Sequence, residues 1–365
     1  MLRVLNFQIT SGYGGIERFL CNVTKEINDQ VFMDFVTYSD KPAYSDVLKE
    51  CGSNIYYLPS EKNIIKHLKA VNELLKKNKY DLIHFHKNSL VNIITYIYIK
   101  KHYKIPIIVH SHNTDSSIKS KLKFVHFLNR KYVSKTANGL FACSNLAKEW
   151  LFAPKEYYRV KIIHNSIDCQ KYAFDNKKRE LLRHKYKADD VLLFGMVGRL
   201  NEQKNPFYAL ELFSKISEVL NDVKFIIVGE GELLSQLKKK TEELKIDDKV
   251  IFTGNVSNVE KYLSAIDVLL MPSLYEGFPI AAIEAQASGV LSFFSTNITD
   301  EIDITDRVNW INIENSIEET AGNIIDIIGK DKNIDRADYY KKVEEKGFDL
   351  KYLSNQLVNE YKNIC

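Results

Sequence analysis

The stretch VLLMPSLYEGFPIAAIEAQASG, residues 268–289, passes from a short apolar run through a turn into an alanine-rich segment. It reads as one β-strand, a tight turn and one α-helix. Gly277 and Phe278 shape the turn, and Pro279, with its preset φ and no N–H to lose, suits the first helical position. Two carboxylates lie on it: Glu276 before the helix, and Glu284 about a turn and a half inside it on roughly the same side. By spacing alone the pair fits a general acid and base, two holders of hydroxyl groups, or two exposed charges.

The strand-turn-helix unit recurs along the chain. RVLNFQI, MDFVTY, LIHFH, IPIIVHSH, GLFACS and VKIIHN punctuate the first half, and VLLFGMVGR, VKFIIVG, KVIFTG, VLLMPS and VLSFFST the second, with helical stretches between them. This is the rhythm of doubly wound parallel sheets, and it occurs twice. At 365 residues the chain exceeds one ordinary core, which again predicts two domains. The polar segment 168–190 suits a linker followed by a surface helix. The boundary is therefore set near 170, with domains at 1–170 and 171–344 and a C-terminal helix, about 345–365, returning to the first.

Composition excludes several classes. With 45% hydrophobic and 27% charged residues spread throughout, the chain is globular rather than disordered. Cys21, Cys51, Cys143, Cys169 and Cys365 are dispersed, with no Cys-x-x-Cys pair and no histidine partner for any of them at metal-ligand spacing, which fits a reduced cytoplasm. MLRVLNFQIT reads as a first buried strand rather than a signal peptide, and no apolar run reaches the ~20 residues of a spanning helix. Residues 1–170 hold 25 Lys and Arg against 14 Asp and Glu, so the net charge of +4 conceals a basic first half and an acidic second. Such asymmetry suits either an anionic partner for the first half or a lysine-rich solvated surface.

Two helices bear on that choice. At 62–79, Ile64, Ile65, Leu68, Val71, Leu74 and Leu75 recur at helical spacing among lysines. At about 118–135, Ile118, Leu122, Val125, Phe127 and Tyr132 alternate with Lys119, Lys121, Lys123, Arg130, Lys131 and Lys135. Each is an ordinary packed helix or a basic amphipathic face on anionic lipid, the packed helix being the commoner case.

In parallel α/β sheets, ligands bind where strands end. The first strand leads into SGYGGIERFL, where Gly12, Gly14 and Gly15 permit close backbone approach and a helix starting near Ile16 aims free N–H groups at an anion. In GMVGRLNEQKNP, Arg199 stands at a strand end and Lys204 five residues on, a planar fork and a point charge suited to a diphosphate, the lesser alternative being a pair of surface cations. No Gly-Lys-Ser/Thr follows the first glycines, and VGEGEL lacks the third glycine of a dinucleotide fingerprint, which makes a nicotinamide-dependent dehydrogenase the weakest reading.

Taken together, GGIER (14–18), HSHNT (110–114), HNSID (164–168), GRLNEQKNP (198–206), VGEGE (228–232), FTGNVSNVEKYLSAIDVLLMPSLYEGFP (252–279) and Glu284 resemble, in order, the motifs of GT-B glycosyltransferases of family 4, most closely those that build capsular and exopolysaccharides. The resemblance covers nearly the whole chain. It implies two Rossmann-like domains facing each other across a cleft, and a retaining, metal-independent transfer with no cofactor. The donor is a nucleotide diphosphate sugar, in the first place a UDP-sugar, and the acceptor a lipid-linked glycan. It further implies that Arg199 and Lys204 bind the diphosphate and that Glu276 contacts the donor sugar. Glu284 takes the ribose hydroxyls, while Gly14 and Gly15 lie against the phosphate and the reacting centre. His112 touches the donor sugar near the point of transfer, its alternative being a buried core histidine. Asn165 is kept from the family's hinge motif, and Ser166 replaces its glycine. Residues 252–256, with Gly254 and Val256, wall the base pocket, and Gly277, Phe278, Pro279 and Ile280 complete the donor loop. STNITDEI replaces the family's usual Gly-Gly-x-x-Glu, leaving Glu301 nearest the acidic position. No Asp-x-Asp occurs, so cations and a helix end take the place of a divalent ion on the diphosphate.

The expected place of action is the cytoplasmic face of the membrane, the basic half meeting anionic lipid, with no nucleic-acid partner. A sugar-nucleotide epimerase or hydrolase on the same fold, and a non-catalytic partner of another transferase, are the competing classes.

Overall fold

Parallel strands covered on both faces are predominantly apolar, and those of this chain are, with a few polar residues such as Asn6, Asp34, His84 and His110 buried among them. The computed structural model describes residues 1–114, 120–331 and 334–365. They form two units, Met1–Ser166 with Leu350–Cys365, and Ile167–Asp349.

The N-terminal unit holds β1 (Leu2–Ile9), β2 (Val31–Thr37), β3 (Ile55–Tyr57), β4 (Leu82–Lys87), β5 (Ile107–Ser111), β6 (Gly139–Ala142) and β7 (Val160–Ile162). They make a seven-stranded parallel sheet in the order β3-β2-β1-β4-β5-β6-β7. Val4, Leu82, Ile108 and Phe141 point from one face into a core closed by Phe19 of the Gly15–Ile27 helix and Tyr361 of the Leu350–Ile364 helix.

The C-terminal unit holds β8 (Leu192–Val197), β9 (Val223–Val228), β10 (Val250–Gly254), β11 (Val268–Met271), β12 (Leu291–Ser295) and β13 (Val308–Ile311), ordered β10-β9-β8-β11-β12-β13 and again all parallel. Gly195 of β8 lets Ile266 lie against the strand, for a Cβ there would stand 2.3 Å from the Ile266 Cδ1. The two strands that the sequence reading lacks, β3 and β13, are a three- and a four-residue edge strand. Little apolar area is demanded of an edge, so its sequence signal is faint.

Two helices differ from expectation. In Ile64–Lys77 the first two apolar positions, Ile64 and Ile65, are exposed, and His67 takes the buried place. Its Nδ1 and Nε2 meet the Pro59 carbonyl and the Thr95 hydroxyl, each at 2.8 Å, which satisfies the ring inside. Along Ser120–Thr136 the apolar residues face outward: Leu122, Phe124, Val125, Phe127, Leu128 and Tyr132 are all exposed. This helix is anchored through polar groups. The Leu90 N–H donates to His126 Nδ1 at 3.0 Å, His126 stacks on Trp150, and the Arg130 guanidinium donates to the Phe152 carbonyl and the Tyr157 hydroxyl. Arg130 therefore belongs to the anchored side and not to the basic face. Ile118 and Lys119 lie outside the described residues.

Candidate active site

In the C-terminal sheet the order turns back between β8 and β11. Loops leaving neighbouring strands at such a switch point pass to opposite faces and open a crevice. The β8 loop carries Arg199 and Lys204, and the β11 loop carries Glu276. Local chemistry shapes the first: Asn201 Oδ1 accepts from the Lys204 N–H at 3.2 Å, Asn205 adopts the left-handed region at φ 53°, and Pro206 opens the Pro206–Val219 helix. The loops are stitched together, the Leu274 N–H donating to the Gln203 carbonyl at 2.8 Å and Gln203 Nε2 to the Tyr275 carbonyl at 3.0 Å. Across this seam Lys204 Nζ lies 2.5 Å from Glu276 Oε1, both side chains largely shielded. Arg199 is exposed and makes no ion pair among the described residues.

The ends of β8, β9 and β10 form a shelf of backbone beside the pair. The Gly198 N–H donates to the Val228 carbonyl, Leu200 to Glu230 and Gly229 to Gly254, at 2.8–3.0 Å. Gly229 has φ +143°, and a Cβ on it would stand 1.9 Å from the Gly198 carbonyl oxygen; one on Gly231 would stand 2.2 Å from that of Leu200. Sequence reasoning assigned no role to these two glycines. Their signal is a pair of glycines flanking an acidic residue directly after a buried strand.

On the β11 side, Pro279 is extended, with ψ 117°, and caps the helix, which begins at Ile280 and not at Pro279. Gly277, Phe278 and Ile280 are buried, and Phe278 stacks on Phe348 with ring centroids 5.6 Å apart. Glu284 is fully buried within the Ile280–Ala287 helix. Two residues on, Gln286 fixes that helix: its amide nitrogen donates to the Ala282 and Ile302 carbonyls, and its oxygen accepts from the N–H groups of Ile304 and Thr305. Gly254 and Val256, at the end of β10, are half-buried.

The N-terminal unit holds the other expected residues. β1 runs into the glycine loop, Gly14 is the N-cap of the Gly15–Ile27 helix, and buried Glu17 accepts from the Thr10 N–H at 3.0 Å and the Thr10 hydroxyl at 2.6 Å. Glu17 thereby ties the helix to the strand end and holds the loop's shape. Asn165, buried, follows β7. His112 follows β5 and closes a cluster of four imidazoles with His84, His86 and His110; the strand period of two puts each His-x-His pair on one face, and β4 and β5 are neighbours. Burial away from water holds all four rings well below the ordinary histidine range, His112 at about 3, with mutual repulsion adding to it at His84, His86 and His110.

His84, His86 and His110 each offer a ring nitrogen within 4.8 Å of the others, a spacing near that of a three-histidine metal site. Both nitrogens of His86 are already engaged, with His112 Nε2 and with Asn6 Oδ1, and the aromatic rings of Phe19 and Phe141 line the cluster without supplying a carboxylate. The donor set does not fit a resident divalent ion, and the four rings form a cluster of neutral imidazoles.

Comparison with known proteins gives a consistent result. Residues 13–171 match the family model of Glycosyltransferase Family 4, and residues 178–345 that of Glycosyl transferases group 1. The chain is 28% identical to the putative glycosyltransferase EpsF of Bacillus subtilis over 82% of its own length and 81% of that protein's. It is 32% identical to the UDP-Gal:alpha-D-GlcNAc-diphosphoundecaprenol alpha-1,3-galactosyltransferase of Escherichia coli over 62% and 60%. Among solved structures, Anabaena Alr3699/HepE in complex with UDP superposes with a TM-score of 0.81 over the full length of both chains at 16% identity.

Proposed function

The chain belongs to the GT-B glycosyltransferases in which a family 4 domain precedes a group 1 domain, and from that premise we propose that it transfers a hexose or N-acetylhexosamine, with retention of configuration, from a UDP-sugar to a lipid-linked oligosaccharide in capsular or exopolysaccharide synthesis. The donor is taken by the C-terminal unit and the acceptor by the N-terminal one. The reading rests above all on the Lys204–Glu276 contact of 2.5 Å at the β8/β11 switch point, with exposed Arg199 on the same loop. The Escherichia coli relative, which by its name works from UDP-Gal on a diphosphoundecaprenol-linked sugar, supports the choice of donor and acceptor.

The pair suggests an order of events. Without ligand, Lys204 is neutralised by Glu276. A bound diphosphate, carrying more negative charge than one carboxylate, draws the ammonium to its oxygens, and Arg199 grips it from the open side. Glu276 is then released to accept from hydroxyls of the donor sugar. As the glycosidic bond breaks, Arg199, Lys204 and the N-terminal end of the Ile280–Ala287 helix meet the charge that grows on the leaving diphosphate, the work a metal does elsewhere.

At the membrane, the outward residues of Ser120–Thr136 supply the contact. Phe124, 70% exposed, and its five apolar neighbours stand beside exposed Lys121, Lys123, Lys131 and Lys135, a composition suited to the interface of an anionic bilayer. No helix among the described residues is long and apolar enough to cross one. The test is ligand-induced thermal stabilisation across UDP-, GDP- and ADP-sugars. A UDP-sugar should raise the melting temperature in the native chain and fail to do so in Arg199→Ala, and an equal response of both proteins would refute the site.

A further inference from the structure

We propose that Asn6 and His86 are positioning residues that lock His112 as the neutral Nε2–H tautomer, presenting its Nδ1 as a bare hydrogen-bond acceptor for a hydroxyl of the donor sugar. The use made of His112 rests on the reading above; the lock itself stands on hydrogen-bond geometry.

A backbone carbonyl can only accept a hydrogen bond. Asn6, on β1 and fully buried, places Nδ2 3.3 Å from the Asp34 carbonyl oxygen, so this nitrogen is the donor and the amide cannot be turned round. Its Oδ1 is then the atom that faces His86 Nε2 at 3.2 Å. A carbonyl oxygen again only accepts, so His86 carries its proton on Nε2. The ring is neutral because it is enclosed and surrounded by three other imidazoles, and its Nδ1 is therefore a lone pair. That lone pair lies 2.8 Å from His112 Nε2, which must supply the hydrogen. With one proton on Nε2, His112 has none on Nδ1, and Nδ1 is buried with no hydrogen-bond partner among the described residues.

Each link uses an element fixed by the sheet. Asn6, His86 and His112 lie on or just past β1, β4 and β5, strands that are adjacent in the order β1-β4-β5. Phe19 packs edge-on against His112, with ring centroids 5.3 Å apart and ring planes at 62°. The titratable groups facing the pair are His84 and His110 from β4 and β5 and the Tyr361 hydroxyl from the Leu350–Ile364 helix, itself engaged with His84 Nδ1 at 2.8 Å. Phe19 of the first helix and Phe141 of β6 add no charge. A bare acceptor suits a sugar hydroxyl, which must donate somewhere once it leaves water.

The experiment is long-range 1H–15N correlation on the full chain with labelled histidine, His86 and His112 assigned through His86→Gln and His112→Gln. Both rings should show a protonated Nε2 and an unprotonated Nδ1 at pH 7.5; an Nδ1–H tautomer or an imidazolium at either would overturn the lock. Asn6→Asp keeps the shape but sets a carboxylate against His86, so protonated imidazole should appear in the spectrum near neutral pH. Turnover should then acquire an acid limb in that range that the parent lacks. His86→Phe, which frees His112 Nε2, should lower kcat roughly tenfold, the worth of one oriented hydrogen bond, while donor KM changes less. If the spectra show the lock but Asn6→Asp and His86→Phe retain the parent's kcat and pH profile, its role in transfer is refuted. If His112→Ala itself turns over normally, the reading of the site fails while the tautomer result stands.

Discussion

Lowering the pH from 7.5 to 5.5 should destabilise the N-terminal unit selectively. His84, His86 and His110 are enclosed there, and their native pKa values lie well below the ordinary one. A histidine in the unfolded chain takes up a proton near pH 6.5, so below that value the unfolded state binds more protons than the native one and stability falls with pH. For a ring that stays neutral in the native state, the loss between pH 7.5 and 5.5 is about 1.4 kcal/mol; His112, held at about 3, adds the same, so the four rings of the cluster give about 5.5 kcal/mol, a large share of a typical domain's 5–15 kcal/mol. Carboxylates ionise below this window and contribute little within it. The two tryptophans make the measurement specific, since Trp150 lies in the N-terminal unit and Trp310 in the other, where His184 is the one histidine and is exposed. In Trp310→Phe, urea unfolding followed at Trp150 should lose stability steeply below pH 6.5; in Trp150→Phe, the Trp310 signal should change little. Adding His110→Leu removes one ring whose nitrogens make no hydrogen bond among the described residues, and should reduce the loss by about 1.4 kcal/mol. An unchanged pH slope in that variant would refute the attribution to the cluster.

Further consequences are open to direct measurement. Arg199→Ala and Lys204→Ala should each lower turnover by about two orders of magnitude, as loss of a charge-stabilising contact does, measured by UDP release in the presence of acceptor. Glu284→Ala should act more through donor affinity, seen as a raised donor KM with a smaller change in kcat. Turnover should persist in excess EDTA, and abolition that Mg²⁺ or Mn²⁺ reverses would contradict a cationic diphosphate site. Gly229→Ala should cost more than about 2 kcal/mol by thermal melting, because the new methyl would overlap the Gly198 carbonyl at a φ that alanine rarely adopts. Phe124→Glu with Phe127→Glu should release the protein from vesicles of anionic lipid in a sedimentation assay, and equal binding of parent and variant would place the membrane contact elsewhere.

Much of the architecture was legible because apolar runs and turn residues are local signals. LLFGMV, VKFIIV and VLLM are strands as read, and the turn at Gly277–Phe278 lies where the sequence put it. The 118–135 stripe left a packed helix and an outward amphipathic face both open, because helical spacing shows that a face is apolar but not whether anything covers it. In the protein that helix is held by His126 and Arg130, and its apolar face looks outward. The His-x-His pairs of β4 and β5 were visible as a period of two, yet only His112 was singled out. Asn6 and His86 become meaningful only once β1, β4 and β5 are known to be neighbours.

The sequence by itself determined the βα units and the chemistry at their ends: glycines after β1 and β9, cations after β8, a carboxylate after β11, imidazoles along β4 and β5. These follow from side-chain volume, φ preference and charge, which each residue carries with it. Which ends become neighbours was decided by the order β9-β8-β11 and β1-β4-β5, set by hydrogen bonds and packing between segments far apart in the chain. The Lys204–Glu276 contact joins residues on opposite sides of a switch point, and the Asn6–His86–His112 relay crosses three strands. No local pattern encodes either, because a distance of 2.5 or 2.8 Å between remote side chains exists only after the sheet has brought their strands together.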